Sequence, residues 1–149
     1  MRAVVQRVSS SSVCVDGDII GEIGVGFNVL VGISKDDTSE DLKYIKDKII
    51  NLRVFHDEND KMNLSLLDIK GEILVISQFT LYGDCRKGRR PNFMDAQGGE
   101  EAKKLYEEFL DLLKTSNLKV ECGEFGADMK VKINNDGPVT ILLDSKRNF

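Results

Sequence analysis

Apolar and polar positions change period several times along this chain. "AVVQRV" (Ala3–Val8) and "SVCVD" (Ser12–Asp16) alternate in the manner of half-buried strands, and Asp16-Gly17 adds a hairpin signal between strands. "GFNVLVGIS" (Gly26–Ser34) is a continuous apolar run of the kind a fully buried strand needs. In "DDTSEDLKYIKDKIINLRVF" the period shifts: Leu42, Ile45, Ile49 and Leu52 recur at helical spacing, behind a Thr38/Asp41 pair that resembles a capping box. "EILVISQFTLY" (Glu72–Tyr82) returns to a buried strand, and "GDCRKGRRPNF" (Gly83–Phe93) reads as a loop punctuated by Gly and Pro. A second helix is predicted over "GGEEAKKLYEEFLDLLKTS", with Ala102, Leu105, Phe109 and Leu112 on one face. Three strands close the series: "LKVECGEFG", "MKVKI" and "PVTILLDS". The order ββ(βα)(βα)βββ predicts an α/β fold with α+β character. Two sheet layers would pack on each other, with both helices on one outer face.

Composition narrows the picture only a little. At 149 residues the chain suits one domain, 1–149, with a sizeable core. The opening "MRAVVQRVSS" does not read as a signal peptide, and no apolar run approaches the roughly 18 residues of a membrane span. A cytoplasmic protein with no membrane partner is expected. Cys14, Cys85 and Cys122 are odd in number and widely spaced, so neither a disulfide framework nor a zinc knuckle is indicated. The net charge of −4 argues against global attraction to nucleic acid, DNA included. Any polyanion contact must be local, and Arg86, Lys87, Arg89 and Arg90 form the one dense basic cluster.

The obvious catalytic equipment is missing. His56 is the only histidine, and its segment "RVFHDENDK" reads as a polar turn. No nucleophile elbow, P-loop or dinucleotide fingerprint occurs. The carboxylates concentrate in "DDTSED", "DEND" and "GGEE", which look like solvated helix starts and turns. No metal or cofactor is expected.

Two polar interruptions of apolar sequence remain. Ser77, Gln78 and Thr80 break what would otherwise be a core strand. The bland explanation is a strand leaving its sheet. The functional one is a strand end offering a hydroxyl and backbone N–H groups to a ligand. The second interruption is "NNDGPVT" (Asn134–Thr140), where one of only two prolines sits between a turn and a run of strand type. Spacing alone favours a plain trans turn there.

These two clusters resemble the signature motifs of the bacterial and eukaryotic D-aminoacyl-tRNA deacylases: "SQFTLY" (Ser77–Tyr82) and "NDGPVT" (Asn135–Thr140). "AVVQRV", "KMNLS" (Lys61–Ser65), "KGRRPNF" (Lys87–Phe93) and "GEFGADM" (Gly123–Met129) extend the resemblance over essentially the whole chain. It implies an enzyme that hydrolyses the ester between a D-amino acid, or mischarged glycine, and the terminal ribose of tRNA. It also implies a three-layer β/β/α fold and a homodimer with the active site at the subunit interface.

On this resemblance, Ser77, Gln78, Phe79 and Thr80 carry the chemistry, with backbone N–H groups near Phe79 and Thr80 as the oxyanion site. Gly137 and Pro138, joined by a cis bond and inserted into the other subunit, become a stiff chirality gate. Asn135, Val139 and Thr140 flank that gate, and Arg7 braces the partner's Gly-Pro loop. Phe125, Ala127 and Met129 line the pocket, together with Gly126 and Asp128, and the basic cluster meets tRNA phosphates. Two mechanisms compete: the Thr80 hydroxyl as nucleophile, or assistance from the 2′-hydroxyl of the terminal adenosine. The second is preferred because no base is evident beside Thr80. Two other functions fit less well: a non-catalytic module that binds RNA ends on the same fold, and a hydrolase of other small D-amino-acid esters or amides.

Overall fold

The alternating start of the chain forms one long strand, β1 (Arg2–Val15), on which the rest of the sheet is organised. The computed structural model describes residues Met1–Phe149. The amino-terminal half of β1 pairs antiparallel with β3 (Gly26–Gly32), and its carboxy-terminal half pairs with β2 (Asp18–Ile23). β6 (Glu72–Ser77) adds parallel to β3, and β7 (Val120–Cys122) adds parallel to β6. β8 (Lys130–Asp144) runs along the free side of β1. β2 folds back over β6 and β7: a Cβ on Gly21 would lie 3.0 Å from the Cys122 carbonyl and 3.3 Å from Leu74. The sheet thus curls nearly closed.

Parallel neighbours require crossover connections, and here they carry the helices. α1 (Ser39–Asn51) lies between β3 and β6, and α3 (Gly99–Lys114) between β6 and β7. Both crossovers advance in the same direction across the sheet, so both helices lie on one face and pack on each other. Side-chain alternation in β6 explains its continuous apolar run. Ile73 and Val75 face the helices, in a core with Phe27, Val29, Ile45, Ile49 and Phe109. Leu74 and Ile76 face the other way, into a smaller core with Val8, Val13 and Ile23. A fully buried side chain such as Ile45 or Phe109 contributes about 1.5–3 kcal/mol relative to exposure. The expected three-layer β/β/α arrangement is therefore present. No helix is long and apolar enough to cross a membrane.

The caps follow local chemistry. Thr38 N donates to Asp41 Oδ2 at 2.9 Å, the capping box expected at the start of α1. Burial opposes ionisation of Asp41, but hydrogen bonds from Lys146, Ser145 and Thr38 outweigh it and hold the carboxyl below the usual range. A second capping box, Ser65 with Asp68, starts the one-turn helix α2 (Leu66–Ile69). This gives the "KMNLS" stretch a structural role at that point.

Several boundaries differ from the sequence reading. The strand predicted over Glu72–Tyr82 ends at Ser77, and Phe79–Tyr82 winds into a single 3-10 turn. The buried face of α3 is Ala102, Tyr106, Phe109, Leu110 and Leu113, so Leu105 and Leu112 lie at its margin. Leu52 caps α1 rather than extending it, and Ile50 takes the buried position. The hairpin of β4 (Phe55–His56) and β5 (Met62–Leu64), like α2, is too short to impose a period on the sequence.

The largest correction concerns "MKVKI" and "PVTILLDS", which are one strand, β8, and not two. The chain does not reverse at Asp136-Gly137, because both flanks stay antiparallel to β1. Gln6 pairs with Thr140 and Val8 with Asn135, so Asp136, Gly137, Pro138 and Val139 together stand opposite Arg7 alone. The result is a wide bulge that displaces Gly137-Pro138 from the sheet edge. The Gly137-Pro138 peptide is cis, not the plain trans turn that spacing favours. β8 is also an edge strand, not a buried one: Leu142 is 57% exposed.

Candidate active site

The carboxyl ends of the parallel strands β3 and β6 open onto a cleft of about 550 Å³, the place where α/β sheets commonly bind ligands. Ile76, Ser77, Gln78 and Phe79 form one wall, Phe125, Gly126, Ala127, Met129 and Val131 another, and Phe93 with Ala96–Gly99 the third. The last group reaches the site because the segment before α3 is tied to the end of β3: Gln97 N donates to the Ile33 carbonyl at 2.8 Å.

The 3-10 turn is what makes this wall chemically useful. Gln78 N still completes the sheet by donating to the Val31 carbonyl at 2.7 Å. The turn then closes with Leu81 N on the Gln78 carbonyl and Gly83 N on the Thr80 carbonyl. The amides of Phe79 and Thr80 donate to no other group of the protein. Two adjacent unpartnered N–H groups at the lip of a cleft are suited to an oxygen that becomes negatively charged during reaction. The Thr80 hydroxyl accepts from Gln78 Nε2 at 2.5 Å.

Phe125 owes its position to α3. Its ring lies 5.7 Å from that of Tyr106, whose hydroxyl donates to the Val75 carbonyl at 2.9 Å. Burial pushes the Tyr106 phenol up, so it stays a donor. Gly126 takes a left-handed φ of +80° in the turn that brings Ala127 to the cleft. None of the 14 lining residues is an acid or a base. His56 is absent from the lining and sits 3.6 Å from Asp60 in the β4–β5 hairpin. No group of three or more His, Cys, Asp and Glu side chains is assembled.

Of the residues singled out in the sequence, the cleft gathers Ser77, Gln78, Phe79, Phe125, Ala127 and Met129, with Thr80 adjoining. It does not include Asn135, Gly137, Pro138, Val139 or Thr140. Those lie on the β8 bulge or at the paired residues that flank it, and the left-handed Gly137 (φ +126°) fits closely against Arg7. Arg7, expected to brace the Gly-Pro loop of a partner, contacts the corresponding loop of its own chain. It is 4% exposed, and its guanidinium donates to the Asp136 carbonyl at 3.0 Å and the Val54 carbonyl at 2.5 Å. The register of β1 against β8 explains this, because Arg7 is the residue facing the bulge.

The basic cluster forms a hairpin closed by paired Asp84–Asn92 backbone hydrogen bonds of 2.8 and 2.9 Å. Arg86 pairs with Asp84 at 2.7 Å while staying exposed, and its hydrogen bonds lower the Asp84 carboxyl to about 2. Lys87, Arg89 and Arg90 are exposed and have no acidic partner within 4.0 Å, so their charges face solvent. Phe93, Gln97, Gly98 and Gly99 were missed as site residues. The only sequence signal was the "PNF" that ends the basic loop and the Gly-Gly before α3.

The family model described as D-Tyr-tRNA(Tyr) deacylase matches residues 4–144. A D-aminoacyl-tRNA deacylase of Clostridium beijerinckii is 98% identical to this chain over 149 residues, all of both proteins. One from Clostridium botulinum (strain Alaska E43 / Type E3) is 81% identical over the same full length. Among solved structures, one named c-Myc DNA Unwinding Element Binding Protein superposes with a TM-score of 0.91 at 47% identity, covering 97% of this chain and 98% of that one. A probable eukaryotic D-amino acid tRNA deacylase shares the fold with a TM-score of 0.82 at 18% identity, over 95% of this chain and 97% of that one. With matches along its whole length, the chain belongs to the D-Tyr-tRNA(Tyr) deacylase family, hydrolases of the ester that joins a D-amino acid to tRNA.

Proposed function

We propose that this protein removes D-amino acids, and mischarged glycine, from tRNA in the cytoplasm, as a homodimer whose two clefts are each completed by the other subunit's Gly137-Pro138 bulge. The observation that carries the chemistry is the pair of unpartnered amides at Phe79 and Thr80 beside a cleft without acid or base. Water adds to the ester carbonyl carbon, and the carbonyl oxygen becomes an oxyanion that accepts from those amides. The carbon–oxygen bond to the ribose then breaks, and the neighbouring ribose hydroxyl assists the proton transfers. Loss of one oxyanion donor typically costs about 10²–10³ in rate.

Chirality is read by main chain. A D-residue presents hydrogen where an L-residue presents its side chain. A fixed carbonyl of the 137–138 segment, set close to that position, clashes with every L-residue whatever its side chain. Glycine has nothing to clash and passes. Lys87, Arg89 and Arg90 meet the phosphates of the acceptor end, which makes binding salt-dependent.

The dimer is supported by the separation of the two motifs: the bulge projects from the edge strand β8 and contributes nothing to its own cleft. Edge strands leave unpaired backbone groups and here also an exposed Leu142, a surface suited to a second copy. Sedimentation at micromolar protein should therefore show a dimer. A monomer with full activity would overturn the shared site.

The function itself is tested by charging one tRNA in parallel with D-Tyr, L-Tyr and Gly and adding sub-stoichiometric protein. Release of D-Tyr and Gly with L-Tyr spared is the expected result. No release from any of the three, with tRNA still bound, would leave a module that only binds RNA ends.

A further inference from the structure

A 3-10 turn of four residues is a weak support for two amides that must hold their direction during reaction. Its closing bonds are few, and the Leu81–Gln78 one is long at 3.3 Å. The Phe79 side chain is 55% exposed, so the sheet does not anchor it. What does touch it is Phe93, edge-on at a centroid distance of 5.1 Å and an interplanar angle of 69°. Such aromatic pairs are favourable beyond the area they bury.

Phe93 is itself held from behind. Its carbonyl accepts from Ala96 N at 3.1 Å, and Ala96 bridges Ser34 at the end of β3. It directly follows Asn92, the residue that closes the basic hairpin on Asp84. Gly83 leaves room for its ring: a Cβ there would lie 3.1 Å from Phe93 Cε1 and 3.0 Å from the Thr80 carbonyl. The ring therefore fills the angle between the end of the turn and the hairpin.

We propose that Phe93 is a positioning residue for the reaction: its ring fixes Phe79, and through it the amides of Phe79 and Thr80, in the direction the oxyanion needs. This rests on the deacylase reading above. Phe93 also ties the turn to the hairpin that carries Lys87, Arg89 and Arg90, so the tRNA contact and the oxyanion site share one rigid part.

The test compares wild type, Phe93→Ala and Phe93→Tyr on full-length D-Tyr-tRNA and on adenosine esterified at its ribose with D-Tyr, which lacks every phosphate of the tRNA. Turnover of D-Tyr-tRNA by the wild type is measured first, and its absence would sink the deacylase reading rather than this inference. Given that turnover, Phe93→Ala should lower kcat by about 10- to 100-fold on both substrates, below the loss of a whole donor. KM should change little, and Phe93→Tyr, which keeps the ring, should restore kcat. A raised KM for tRNA alone with kcat intact would make Phe93 part of the binding surface and overturn the proposal. So would equal loss in both variants accompanied by a lowered Tm, which would mark a merely structural residue.

Discussion

D-Tyr-tRNA whose terminal adenosine lacks its 2′-hydroxyl should be deacylated at least ~100-fold more slowly than the ribose form, the low end of what a positioned proton-transfer group supplies. The argument begins with the lining of the cleft. It contains two Gln, one Ser, five Gly or Ala and otherwise apolar residues from Ile76 to Val131, with no side chain able to take a proton near neutral pH. Thr80 has no base beside it, and Gln78 Nε2 donates to its hydroxyl rather than accepting from it. A hydroxyl in that position is a weak nucleophile. The substrate brings its own hydroxyl next to the scissile ester, already oriented by the ribose, and that proximity is effective. Thr80→Ala should accordingly retain turnover within about tenfold of wild type, because it removes a side chain and leaves the Thr80 amide in place. Single-turnover rates on the two tRNA forms with both proteins would decide the matter. Normal turnover of the deoxy substrate would place the proton acceptor in the protein. Collapse of Thr80→Ala on the ribose substrate would make its hydroxyl the nucleophile.

Much of this was legible in the residues, and the exceptions have physical causes. The two amphipathic helices and the buried runs of β3 and β6 announce themselves because each imposes a period over many residues. The polar break at Ser77, Gln78 and Thr80 was legible because polar residues rarely interrupt a core run without a reason, although the strand was expected to reach Tyr82 and ends at Ser77. The 3-10 turn was not, since "FTLY" is as apolar as the strand before it. The turn is set by tertiary packing against the end of β3, where a Cβ on Gly32 would lie 3.1 Å from Leu81 and 3.2 Å from Tyr82. Phe93 was invisible for a similar reason. Its partner Phe79 is near in space but fourteen residues earlier, and nothing in the local pattern joins them. The β8 bulge was misread as a hairpin turn because Asn-Asp-Gly-Pro has turn chemistry. Only the pairing of both flanks with β1 shows that the chain runs straight on. The same pairing sets Arg7 opposite the bulge of its own chain, a matter of register that no residue pattern contains.

Arg7→Lys should lower the preference for D-Tyr-tRNA over L-Tyr-tRNA by about tenfold or more, equivalent to ~1.4 kcal/mol of discrimination. The gain should come from faster hydrolysis of the L-substrate. Arg7 bridges two carbonyls at once, that of Asp136 at the base of the bulge and that of Val54 beyond α1, and its Nε also lies 3.4 Å from an Asp136 carboxylate oxygen. The Gly137 backbone is fitted to the guanidinium, since a Cβ there would stand 3.0 Å from Arg7 Nη2. A gate that works by clash discriminates only as far as it resists being pushed aside. Lysine keeps the charge but replaces a planar fork by a single ammonium on a flexible stem, so it cannot hold both carbonyls in the same geometry. The bulge would then yield to an L-side chain at small cost, while a D-residue, which never presses on it, would react as before. D-Tyr-tRNA turnover should stay within about threefold, which separates this outcome from a general loss of the site. Parallel rates on D-Tyr-, L-Tyr- and Gly-tRNA would measure it, with Tm recorded for both proteins. Glycine should be insensitive to the substitution, having no side chain to meet the gate. An unchanged D/L ratio in a folded, dimeric Arg7→Lys protein would show that the bulge keeps its shape without the guanidinium, or that chirality is read elsewhere in the cleft.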